Sequence, residues 1–90
     1  MAMTWQQSNE YDSYIREGNW FLDKAQNYEK QGYYSDAKDK YYRAMEQFQY
    51  AYNYARSFDD YRQNEAYKLM SSARVSFGEM DYKKNNDNGR

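Results

Sequence analysis

Three observations make the sequence read as an all-α fold, a three-helix antiparallel bundle. Between Gly32 and Phe58 an apolar seam of Ala37, Tyr41, Ala44, Phe48, Ala51, Ala55 and Phe58 advances in steps of three and four, which keeps all seven on one stripe of a helix with about 3.6 residues per turn. The same rhythm recurs on either side of that stretch. The chain contains no Pro, and turn-forming residues interrupt the pattern at only two places, so the elements are long and their connections short.

The first helix is expected over about residues 8–31. Ser8 or Asn9 marks its start, or Thr4 a turn earlier, where the Thr side chain can pair with Gln7 in a capping box. Tyr11, Tyr14, Ile15, Gly18, Phe21, Leu22, Ala25 and Tyr28 supply its apolar stripe, with Trp5 and Trp20 on a different face. Gly32 fits the position just past its end, where the backbone turns left-handed.

A connection of Gly32, Tyr33 and Tyr34 is short enough to force the next helix antiparallel. That second helix is expected over about 35–57, with Ser35 as N-cap and Asp36 and Asp39 near the positive end of its dipole. Small Ala alternates with large rings along its seam, so neighbours can approach at each Ala while the rings interdigitate. Met45 and Tyr52 widen one flank, and Gln47, Tyr50 and Tyr54 the other, as suits an element with neighbours on two sides.

Neither Gly nor Pro marks the second break. Ser57 with Asp60, or Asp59 alone, offers an N-cap for a third helix over about 60–80. It would pack through Ala66, Leu69, Met70, Ala73, Phe77 and Met80, fraying near Gly78. Residues 1–82 then form one domain, and the polar, ring-free segment 83–90 a disordered tail. The competing arrangement fuses the second and third helices into one rod over 35–80, leaving its far half bare unless the chain dimerises.

Composition narrows the function classes. Thirteen basic and fourteen acidic residues leave a net charge of −1, so nothing steers the chain to a phosphate backbone or an anionic bilayer. No apolar run approaches the roughly 18 residues of a membrane span, and the first residues are too polar for a signal peptide. With no Cys and no His, disulfides, thiolate metal sites and the commonest general base are absent, and the expected compartment is cytoplasmic. Thirteen Tyr, four Phe and two Trp make 21% of the chain aromatic. Aliphatic Leu, Ile and Val amount to Ile15, Leu22, Leu69 and Val75, so the core must be built from rings, Met and Ala.

Tyr28, Gly32, Tyr34, Ala37, Tyr41 and Ala44 stand at the offsets of a tetratricopeptide repeat (TPR), which this stretch resembles. The closing Pro of that repeat is absent, with Gln49 near its place, and the second helix runs at least two turns too far. The extension resembles instead the microtubule-interacting and transport (MIT) domain, a three-helix bundle. Gly32, Tyr34, Ala37, Tyr41, Ala44, Phe48 and Tyr52 fit its second-helix pattern, and the resemblance spans roughly 10–80. MIT domains bind peptide tails of ESCRT filament subunits in grooves beside their third helix. The resemblance therefore implies a groove between the second and third helices lined by Met45, Tyr52, Tyr67, Met70 and Arg74.

The carboxylate pairs Asp36/Asp39 and Asp59/Asp60 sit at helix starts, where capping explains them better than catalysis. No phosphate-binding loop, metal motif or cofactor signature is present, so the chain is not expected to be an enzyme or to hold a cofactor. Lys38, Lys40 and Arg43 interleave with Tyr41 and Tyr42, a mixture used to stack bases, but Asp36, Asp39 and Glu46 cancel their field, and no nucleic-acid partner is expected. The informative surplus is aromatic: Trp20, Tyr42, Tyr50, Tyr54, Tyr61 and Tyr67 are left partly outside once the seams are filled. Rings of this kind anchor interfaces. The expectation is a non-catalytic module binding a peptide or protein segment through an aromatic-rich interhelical surface, with Trp20, Met45, Tyr50, Tyr52, Tyr67, Met70 and Arg74 as the binding residues. The alternatives are a small inhibitor or immunity-type protein that blocks a larger enzyme, and a self-associating subunit of a secretion apparatus or other assembly.

Overall fold

The computed structural model of the chain describes residues 3–88, which form α1 (Trp5–Lys30), α2 (Tyr34–Ser57) and α3 (Arg62–Asn88). Each helix runs antiparallel to the one before it, making an all-α three-helix bundle with its backbone spread over 53 × 16 × 12 Å. The long axis is set by helix length. No strand occurs among the described residues. The second helix lies between the other two and packs along its length against both, while the α1 and α3 backbones hardly approach one another.

The reason is written in α2. Its seam residues Ala37, Tyr41, Ala44, Phe48, Ala51 and Ala55 are all buried, and Phe58, the seventh, is half-buried just past the helix end. Three clusters stack along the seam. At one end Ala51 and Ala55 meet Met3, Tyr11 and Ala66; in the middle Ala44 and Phe48 meet Met70 and Ala73; at the other end Ala37 and Tyr41 meet Ala25 and Met80. The widest middle ring needs room, which α1 supplies at Gly18. A Cβ built there would stand 2.4 Å from the Phe48 ring, so only Gly lets α1 lie flat on that side chain.

Both turns close in the same way. After α1, the Gly32 amide donates to the Glu29 carbonyl at 3.0 Å and the Tyr33 amide to the Tyr28 carbonyl at 2.9 Å. This pairing needs a left-handed residue, and Gly32 has φ of 83°. The Tyr28 and Tyr33 rings meet across it at 6.4 Å. After α2, Asp59 donates to the Arg56 carbonyl and Asp60 to the Ala55 carbonyl, both at 3.0 Å, with Asp59 at φ of 53°. Asp thus takes the place of Gly, which short polar side chains tolerate. The single rod over 35–80 is excluded by this turn.

Several expected boundaries move. The capping box forms at Thr4 with Gln7, not at Ser8 or Asn9, so α1 starts earlier than residue 8. Ser35 is not an N-cap: α2 begins at Tyr34 after Tyr33, which makes no side-chain capping bond. Ser57 belongs to α2, its hydroxyl donating to the Tyr54 carbonyl at 2.7 Å. The third helix does not end near 80 and includes most of the segment 83–90 expected to be disordered, with Gly89 and Arg90 outside the described residues. Met80 is fully buried, Lys38 bonds Asp81 at 2.7 Å, and Lys83 reaches Glu29 at 3.5 Å. These contacts carry the helix past Gly78, whose φ is not positive.

Candidate functional site

Apart from a wide, open depression of about 520 Å³ along α3 bordered by Val75, Gly78, Glu79, Tyr82 and Lys83, polar chemistry and rings converge at two places. One is a knot at the end where the α2–α3 turn meets the start of α1. Asp60 is 1% exposed. Its carboxylate accepts from the Met3 amide at 3.1 Å, the Arg62 amide at 2.9 Å, and Arg62 Nε at 2.9 Å and Nη2 at 3.1 Å. Arg62 also donates from Nη1 to Ser8 Oγ at 3.0 Å, and its carbonyl accepts from the Tyr11 hydroxyl at 3.0 Å. The Arg62 guanidinium bonds and the two backbone amides hold the Asp60 carboxyl down to about 2 against the desolvation that opposes ionisation. Burial, with the Glu65 charge next, pushes the Tyr11 phenol up to about 12. Among the described residues no buried side-chain nitrogen or oxygen lacks a hydrogen-bond partner, so this knot fastens helices together.

The other place is the α2–α3 seam. Tyr42, Met45, Glu46, Gln49, Tyr50 and Arg74 line a depression of about 260 Å³. Next to it, sharing Tyr42, lies a second of about 340 Å³ bordered by Ser35, Lys38, Asp39, Phe77 and Lys84. The two form one groove. The Tyr42–Phe77 ring pair, 5.7 Å between centroids, borders it, and Tyr52 and Tyr67 meet at 5.6 Å elsewhere between α2 and α3. Tyr42, Tyr50 and Tyr67 are 44%, 48% and 52% exposed, which is a large apolar area to leave wet on so small a molecule.

Of the expected binding residues, Met45, Tyr50 and Arg74 therefore share one depression, and Tyr52 and Tyr67 touch each other on the same seam. Met70 does not face the groove. It is 4% exposed and packs beneath it with Phe48 and Ala73, because its step of three and four from Ala66 and Ala73 puts it on the core stripe. Trp20 lies on α1, its ring 5.2 Å from Phe21 and under the Lys24 ammonium, and it lines neither depression. Phe77 and Lys38 join the groove although the apolar rhythm assigned Phe77 to the core. Phe77 does pack against the Ala25, Ala37, Tyr41 and Met80 cluster, and being half-buried it also borders the groove.

The basic residues near Tyr41 and Tyr42 are matched by acids: Lys38 with Asp81, Lys40 with Asp39 at 3.7 Å, and Arg43 with Asp39 at 3.2 Å. Tyr41 itself is buried, its hydroxyl donating to Glu29 Oε1 at 2.7 Å. Burial first and that bond second push its phenol well above the usual range. Among the described residues no group of three acidic side chains is placed to hold a metal ion, and no helix is long and apolar enough to cross a membrane.

Fold and surface together define a small all-α bundle with an aromatic-lined groove between its second and third helices. No protein-family model matches the chain, and no curated protein and no solved structure matches it.

Proposed function

We propose that the protein is a non-catalytic interaction module that holds a peptide or protein segment of a partner along the α2–α3 groove. The observation that carries this reading is the convergence of exposed Tyr42 and Tyr50 with Met45 in one depression, beside an Arg74 that makes no ion pair among the described residues. Tyr and Arg combine wide contact with directional bonding at low entropic cost, and Met adapts to irregular shapes. A groove beside the third helix is also where the MIT resemblance places a peptide. The polar knot at Asp60 is satisfied from within, and the depressions are shallow surface troughs, which favours binding over catalysis.

A peptide array of helical and extended segments tests the reading, with hits measured in solution against three variants. Tyr42→Ala and Arg74→Ala are expected to weaken binding by tenfold or more, equal to about 1.4 kcal/mol. Trp20→Ala, away from the groove, should leave affinity unchanged. If the groove variants bind as tightly as the wild type while remaining folded, the groove is not the binding surface.

A further inference from the structure

We propose that this surface docks a second copy of the same chain, with the two α2 helices antiparallel about a two-fold axis. The inference rests on the reading of the α2–α3 face as a contact surface and names what meets it. Asp39, Arg43, Glu46 and Tyr50 follow one another at steps of four, three and four along the outward ridge of α2. Asp39, Arg43 and Tyr50 are exposed and Glu46 is half-buried.

Reversing this ridge against itself makes it complementary to itself. Around an axis between Ala44 and Met45, Arg43 faces Glu46 of the second copy and Glu46 faces its Arg43. Asp39 meets the Tyr50 hydroxyl, which can donate to a carboxylate. Farther out, Asp36 opposes Asn53. No like charges meet. A parallel arrangement instead sets Asp39 on Asp39 and Arg43 on Arg43, and like-charge juxtaposition is costly at an interface. The axis is thus chosen by charge, as an isologous contact requires of a single patch.

The protomer leaves the charged groups available, while the half-exposed Tyr50 ring leans on Tyr14 of α1 at 5.9 Å between centroids. Glu46 has no ion pair among the described residues, and Arg43 is tied only to Asp39 at 3.2 Å, with both side chains more than half exposed at 52% and 54%. A surface pair of that kind is worth little in water, so exchanging it across an interface costs little. Tyr42 and Met45 flank the axis and supply apolar area that the charges orient.

Sedimentation equilibrium of the full chain from low to high micromolar concentration tests the proposal. The wild type is expected to move from 11.0 kDa toward twice that mass. Arg43→Glu alone and Glu46→Arg alone should each remain monomeric, because each places like charges across the axis. Mixed in equal amounts, the two variants should recover the dimer, since every reversed side chain then faces its opposite. Circular dichroism of each variant establishes that it is folded. A wild type that stays monomeric throughout overturns the proposal, as do folded charge variants that dimerise like the wild type or a mixture that fails to recover association. A monomeric wild type whose peptide binding is lost in Tyr42→Ala removes self-docking and leaves the peptide groove standing. Charge-dependent dimerisation with no peptide bound at all does the reverse.

Discussion

At Gly18 the chain gives up helix propensity so that a Phe48 ring can be fully buried beneath it. A side chain there would meet the ring at 2.4 Å from the Cβ alone, so Gly18→Ala must push α1 off the middle cluster. Overpacking of this kind costs about 1–3 kcal/mol, which outweighs the gain of up to about 1 kcal/mol from replacing a helical Gly. Urea denaturation should show the variant less stable, and a variant more stable than wild type would refute the packing argument. Asp60 is the other residue on which much depends. Asp60→Ala removes four acceptor contacts and strands Arg62, a loss of about 3–5 kcal/mol for a broken buried pair. Its sign with pH follows from the depressed carboxyl. The contribution is complete above the unfolded value of 3.8 and is lost as pH falls through about 2, so the wild-type advantage measured by denaturation should shrink across that window.

Among the elements, the two turns are one device made with different residues. Each ends a helix by returning two amides to the last carbonyls through one left-handed residue, Gly32 in the first and Asp59 in the second. Gly32→Ala meets no atom, yet it places a Cβ in the left-handed region at a cost of about 1–2 kcal/mol. The expected result is a lowered urea midpoint with an unchanged slope. The first turn is legible because Gly at that offset has a single conformational meaning. The second was readable as a break but not as this turn, since Asp has several roles at helix ends and only the φ of 53° at Asp59 selects among them. The end of α3 was hidden for a related reason. Polarity and Gly78 predicted fraying, but Met80 under Tyr41 and the reach of Lys83 to Glu29 hold the helix from outside its own sequence.

Across the whole molecule, α1 and α3 are joined chiefly by side chains at their two ends, Arg62 with Ser8 and Tyr11 at one and Lys83 with Glu29 at the other. Both ends titrate at the extremes of pH. Tyr11 is raised to about 12 and Tyr41, which bonds Glu29, is raised further from the ordinary 10.0, so their contributions are complete below pH 10 and fade as the phenols of the unfolded chain ionise above it. Together with Asp60 this predicts a stability plateau from about pH 4 to about pH 10 that falls on both sides. A thermal-denaturation series across pH checks it, and a midpoint that rises above pH 10 would contradict the burial of the two phenols.

Periodicity alone determined the class of this protein, its three helices and nearly all of its core, because a stripe of alternating Ala and rings can be buried only by helices on either side of it. It also left Trp20, Tyr42, Tyr50, Tyr54, Tyr61 and Tyr67 partly outside that core, while Met45, Tyr52, Tyr67, Met70 and Arg74 were implied as groove residues only by the MIT resemblance. Tertiary structure decided which of these meet: Met70 stayed in the core, Trp20 stayed on α1, and Tyr42 met Phe77 at the groove. It alone buried Asp60 against Met3 and Arg62. The physical reason is that burial along one helix follows from the spacing of its own residues, whereas the neighbours of a side chain depend on how far helices slide and turn against one another, which no single helix encodes.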